Sequence, residues 1–215
     1  MKEAMTCTDI RTIEETFKNY TPVGEHGFKH FAVLLPLMEE AGRTEVLYEV
    51  RAERLIRQPG EICFPGGLIE KGETPLECAL RETEEEIGVK ADSIRIISKL
   101  DSVFSAGGSQ IHCFLGVIEQ GDIDFSRDEV AEVFTVDLEE LAGKKPEIYE
   151  SRMRQEPDPE FPYDKVTGGN MYPWRDGKAP VPVYDVEDSR GRRRIIWGLT
   201  GRMTKQFLEV LKCSD

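Results

Sequence analysis

The sequence predicts an α/β fold, a sandwich built on a mixed β-sheet. Two observations point there: short apolar or alternating runs of strand length recur from residue 31 onward, and well-capped amphipathic helical stretches interrupt them. The hydrophobic fraction of 39% is ordinary for a chain that buries a full core. With 215 residues, the chain is expected to form one domain over 1–215, with an irregular insertion at about 146–180.

Residues 8–20 carry Ile10, Ile13, Phe17 and Tyr20 at helical spacing. Residues 31–37 (FAVLLPL) predict a buried strand, and residues 44–50 (TEVLYEV) its hairpin partner across the EEAGR turn. Residues 94–100 and 111–118 predict two more strands, joined by the glycine-rich stretch 105–109. A strand at 130–136 precedes a short helix opening at Asp137. Residues 146–180 are rich in Pro, Gly and charge, with aromatics at Phe161, Tyr163, Tyr172 and Trp174; an ordered but irregular insertion, a lid or a surface loop all suit them. Residues 181–186 and 193–197 predict a hairpin, and Thr200 is expected to cap a last helix with Met203, Phe207 and Leu211 inward.

The chemistry concentrates in residues 67–89. Thr74, Pro75 and Glu77 form a capping box with proline in the first helical position, and Gly88 stands where a left-handed turn ends the helix. Leu76, Ala79, Leu80, Thr83 and Ile87 gather on one side. Glu82, Glu85 and Glu86, at i, i+3 and i+4, share the neighbouring face, where their mutual repulsion calls for a cation. Oxygen-only ligands point to a hard divalent ion, Mg²⁺ or Mn²⁺; a solvated acidic face is the simpler alternative. The preceding turn, Phe64-Pro65-Gly66-Gly67, can bring backbone carbonyls close to a metal, and Arg81 can orient a carboxylate.

Net charge is −13, which argues against a general nucleic-acid partner but not against a small phosphorylated substrate, because bound divalent ions invert the local sign. The five cysteines (7, 63, 78, 113 and 213) are odd in number and lack zinc-motif spacing, as expected of reduced thiols in a cytoplasmic protein. No apolar run reaches membrane-spanning length and the N-terminus lacks a signal-peptide core, so no membrane partner is expected.

Gly67, Glu73, Arg81, Glu82, Glu85, Glu86, Gly88 and Val89 match the pattern G-x5-E-x7-R-E-U-x-E-E-x-G-U, where U is bulky and aliphatic; Thr83 alone departs. The segment therefore resembles the Nudix hydrolases. The resemblance implies an α/β/α sandwich and hydrolysis of a nucleoside diphosphate linked to another group. It also implies Glu82, Glu85, Glu86 and the Gly66 carbonyl as metal ligands, Glu73 and Arg81 as groups that fix them, and a possible homodimer. A glutamate outside the motif often supplies the base in this family, and Glu129 or Glu132 would fill that place.

Two outer segments resemble the coenzyme A pyrophosphatase branch, whose upstream pattern runs L-L-T-x-R-S-x-x-L-R-x-H-x-G-E-V-x-F-P-G-G. Arg51, Leu55, Gly60, Glu61, Phe64, Pro65, Gly66 and Gly67 fit it, whereas Glu49, Ala52 and Gln58 differ, and Ile196-Trp197-Gly198-Leu199-Thr200 resembles a second stretch of that branch. The activity this implies is cleavage of coenzyme A or acyl-coenzyme A. Other Nudix substrates, such as ADP-ribose, a dinucleoside polyphosphate or a nucleotide sugar, and a nucleotide sensor without turnover are the alternatives. Arg51, Arg54 and Arg57 are the expected phosphate donors, with Arg190 and Arg192, Arg193 and Arg194 as a second basic cluster. His112 is expected to be a packed or surface histidine. Tyr172 and Trp174 would either stack on adenine or pack locally.

Overall fold

A strand whose two faces are both apolar belongs in the middle of a covered sheet, and β1 (Lys29–Glu40) shows why. In the computed structural model, which describes residues 10–19 and 28–212, Ala32 and Leu34 pack into one core and Leu35 and Leu37 into the other. β1 pairs parallel with β7 (Ser109–Ile118) and antiparallel with β2 (Arg43–Arg51). β5 (Ile94–Lys99) and β6 (Val103–Ser105) both run antiparallel along β7, and β8 (Val130–Asp137) runs along β2. The sheet is therefore mixed, with β1–β7 its parallel step.

The turn before the acidic helix is more ordered than its composition suggests. Ile62–Cys63 forms β3 against β2, and Gly66–Leu68 forms β4 against β1. The segment is thus laced to two strands of the sheet. From β4 the chain enters α2 (Pro75–Ile87), where the Thr74 hydroxyl accepts from the Glu77 amide and the Glu77 carboxylate accepts from the Thr74 amide. Gly88 at φ 75° ends it, donating to the Glu84 carbonyl. α2 covers one face of the sheet through Cys78, Ala79 and Ile87, packed with Leu34, Leu47 and Phe114.

The opposite face is covered by α3 (Leu138–Gly143) and α4 (Gly198–Lys212), through Leu141, Met203, Phe207 and Leu208. Tyr48 lies between the rings of Phe64 and Phe134, and its hydroxyl shares a hydrogen bond of 3.2 Å with Thr204, tying α4 to β2. The α/β/α sandwich with a mixed sheet is borne out.

Several elements differ from expectation. The helix α1 (Ile10–Phe17) forms, but none of its residues is buried: Ile10, Ile13 and Phe17 are exposed, and Tyr20 lies outside the described residues. Thr200 does not cap α4. The helix opens at Gly198, whose φ of 65° makes the turn, and the Thr200 hydroxyl inside the first turn donates to the Ile62 carbonyl. Leu211 is exposed and Leu208 takes the inward place, because the apolar stripe leaves the core one turn before the helix ends. Residues 146–180 are not irregular throughout. They begin in β9 (Glu147–Met153), which pairs antiparallel with β10 (Gly177–Glu187), itself paired to β11 (Arg193–Ile196). Between β9 and β10, Phe161, Tyr163, Tyr172 and Trp174 pack edge to face.

Candidate active site

The geometry of α2 and the glycine turn brings the acidic residues to one place. Arg81 stands among them. Its guanidinium donates to Glu73 through Nε and Nη2, to Glu82 Oε1 at 2.8 Å and to Glu85 Oε2 at 3.1 Å. That contact holds the Glu73 carboxyl down at about 2, with the Glu70 amide assisting, and it keeps Arg81 fully charged. A Cβ at Gly67 would lie 2.3 Å from the Glu82 carboxyl carbon, so any side chain there would push Glu82 from its place. The turn glycine and the helix glutamate are thereby in direct contact.

Glu86 also meets the turn, at Gly66, and is not held by Arg81. It is 3% exposed, its Oε2 accepts from the Gly66 amide at 2.8 Å, and Arg51 Nη1 stands 4.0 Å from its Oε1. Burial, then the neighbouring Glu49, raises its carboxyl to about 9. Glu82 is raised as well, chiefly by burial, with Glu85 and Glu129 contributing and Arg81 opposing. As the side chains stand, no three acidic, imidazole or thiol groups converge at metal-bonding distance among the described residues. Arg81 holds Glu82 and Glu85 while Glu86 turns to Gly66. The donor set nevertheless fits a hard divalent ion: all oxygen, partly desolvated, and carrying more negative charge than Arg81 and Arg51 neutralise.

Glu129 is exposed, yet its charge reaches both Glu49 and Glu82, so it lies beside the cluster. Glu132 is engaged elsewhere. Burial opposes its ionisation, but Arg194 and Arg192 outweigh that and hold its carboxyl below the ordinary range.

The three arginines ahead of the motif separate. Arg51 and Arg57 line a cavity of about 460 Å³, together with Gln58, Gly66 and Gly67. Arg54 does not line it; its guanidinium is bound to Asp128 and to the Arg127 carbonyl. The cavity lining also includes the apolar side chains of Phe31, Ile111, Trp197, Leu199 and Met203, with Ser105 and Ser109. The second basic cluster is internally satisfied: Asp188, fully buried at its carboxyl, accepts from Arg192 and Arg194, and Arg193 pairs with Asp185. His112 is buried and stacks on His30, as a packed histidine would. Trp174 donates to the Tyr163 hydroxyl within the aromatic cluster between β9 and β10.

Sequence reasoning did not single out Glu49 as a site residue. It is 1% exposed, accepts a hydrogen bond from the Cys63 thiol at 3.1 Å, and is raised to about 7 by burial, with Glu129 and Glu82 adding to the rise. The available signal was a glutamate two residues after Leu47 on the same strand face.

Comparison with known proteins follows the same lines. The NUDIX domain family model matches residues 28–155. "Nudix hydrolase 3" of Caenorhabditis elegans is 32% identical over 195 residues, covering 84% of this chain and 72% of that protein. The "Peroxisomal coenzyme A diphosphatase NUDT7" of Mus musculus is 32% identical over 121 residues, covering 55% of this chain and only 50% of its own length. Among solved structures, a MutT/nudix family protein from Enterococcus faecalis aligns with a TM-score of 0.50 at 14% identity, covering 95% of this chain and 70% of that one, a likeness of fold alone.

Proposed function

The chain belongs to the Nudix family of hydrolases, and on that premise we propose that it hydrolyses the pyrophosphate bond of coenzyme A or an acyl-coenzyme A. The products would be 3′,5′-ADP and 4′-phosphopantetheine or its acylated form. Nudix hydrolases act on small phosphorylated substrates and generally use divalent metal ions. One observation carries the finer reading. The two segments that resemble the coenzyme A branch lie far apart in sequence, yet Arg51, Arg57, Gly66 and Gly67 from the first and Trp197, Leu199 and Thr200 from the second line one cavity. Its arginines suit a phosphate-rich nucleotide, and its apolar lining suits a long, weakly polar arm.

Glu82, Glu85 and Glu86, with the Gly66 carbonyl, would hold Mg²⁺ or Mn²⁺. A bound ion would neutralise charge on the pyrophosphate and favour ionisation of a water. Glu73 and Arg81 act as positioning residues, since Arg81 fixes Glu82 and Glu85 by direct hydrogen bonds. Glu129, exposed beside the cluster, is assigned the general base that takes a proton from the attacking water. Water adds across the P–O–P bridge and the leaving phosphate keeps the bridging oxygen. Arg51 and Arg57 are assigned to phosphate binding. Trp197 and Leu199 lie beyond the 28–155 match yet help line the cavity, which supports reading the C-terminal elements and the matched region as one functional domain.

The test is a product assay with Mg²⁺ on coenzyme A, dephospho-coenzyme A and ADP-ribose side by side. Fast release of 3′,5′-ADP from coenzyme A, with slower turnover of the other two, is expected. Preference for ADP-ribose would overturn the coenzyme A assignment and leave the hydrolase chemistry intact.

A further inference from the structure

The free carboxylate oxygen of Glu49 is unexplained by any role assigned above. β2 alternates: Val46 and Tyr48 enter the core beneath α4, while Leu47 packs with Cys78, Ala79 and Ile87 of α2. Glu49, two residues beyond Leu47, therefore faces α2, the helix that carries Glu82 and Glu86. It pairs in the ladder with Cys63, which lines the same cavity as Gly66. The Cys63 thiol occupies Oε1, and Oε2 is buried with no hydrogen-bond partner. Glu45 has a similar unpartnered oxygen, but it sits at the other end of β2, across from Met38 and Asp137.

The pattern this segment resembles carries threonine where Glu49 stands. A carboxylate in that place puts another negative charge beside Glu82 and Glu86 in a desolvated pocket. A buried carboxylate that keeps one oxygen unpartnered is unfavourable unless it is protonated or coordinates a metal. We propose that Glu49 is a further oxygen ligand of the divalent ion at this site, reaching it through Oε2. The proposal rests on the reading of the α2 carboxylates as a metal site. It adds a strand-borne ligand to a set otherwise drawn from the helix and the turn.

The test uses Mn²⁺ alone as the probe, with no substrate. Bound Mn²⁺ is counted by electron paramagnetic resonance, and melting is followed with Mn²⁺ and with chelator, for wild type, E49Q, E49T and E86Q. The expected result is Mn²⁺ affinity lower by about tenfold or more in E49Q and E49T. Both should melt higher than wild type in chelator, with a smaller gain on adding Mn²⁺. E49T carries the residue of the related pattern and serves if E49Q does not fold. Wild-type affinity and stoichiometry in a folded E49Q or E49T, with loss only in E86Q, would overturn the role of Glu49. Equal Mn²⁺ binding by wild type and E86Q would instead overturn the metal site itself.

Discussion

Arg81 and Gly67 show how much of the candidate site depends on single atoms. Arg81 bonds three carboxylates at once, a task for a planar, forked guanidinium and not for a point charge. Arg81→Lys should therefore lower kcat by about 10- to 100-fold and weaken Mn²⁺ binding by a similar factor, while the melting temperature moves little. Parallel steady-state kinetics and Mn²⁺ titration check this. Gly67→Ala makes a sharper case. The new methyl would overlap the Glu82 carboxyl, so the glutamate must swing away from its place beside Arg81. Activity should fall about 100-fold or more. Gly72→Ala is the control. Its φ is 91° but nothing lies within 4 Å of the added Cβ, so it should cost about 1–2 kcal/mol of stability by urea unfolding and leave kcat unchanged.

The acidic helix was legible in the sequence because everything that defines it is local. Thr74, Pro75, Glu77 and Gly88 lie within one short segment, and the cap geometry follows from their chemistry alone. The same locality made Glu82, Glu85, Glu86 and Arg81 readable. Thr74→Ala should destabilise the protein by about 1 kcal/mol in denaturant unfolding, because it removes one hydrogen bond of the box and leaves an amide unpaired. What was not legible depends on long-range register. Glu49 becomes a site residue only once β2 is turned so that its odd-numbered side faces α2. Which of Arg51, Arg54 and Arg57 meets the cavity depends on partners distant in sequence: Arg54 is drawn to Asp128 and the Arg127 carbonyl, while Arg51 and Arg57 line the cavity. The β9–β10 pairing hid in a segment rich in Pro, Gly and charge, and the β10 half of it carries Pro180 and Pro182. They are tolerated because β9 alone flanks that half of β10, so no second ladder needs their missing N–H.

At the scale of the whole molecule, the folded chain of net charge −13 concentrates carboxylates where water cannot fully solvate them. The consequence for stability has a definite sign. Burial raises Glu86 to about 9 and Glu49 to about 7, above the ordinary value of 4.5. Between these limits the folded state binds more protons than the unfolded chain, so stability is fully present below about pH 4.5 and is lost as pH climbs through 7 toward 9. Glu73 acts oppositely: Arg81 depresses it to about 2, so its contribution is present above 4.5 and is lost as pH falls toward 2. The two trends place maximum stability of the chelator-treated protein on the acid side of neutrality. Its melting temperature should drop by about 5 °C or more between pH 6 and 9. Glu86→Gln should flatten that slope, because the amide has no proton to lose. Mn²⁺ should offset the drop most strongly at the alkaline end, since metal and proton compete for the same carboxylates. Melting curves across pH, with chelator and with Mn²⁺, measure both effects. A slope that rises with pH in chelator would mean that Glu86 and Glu49 are ionised and stabilised in the folded chain by contacts other than those described.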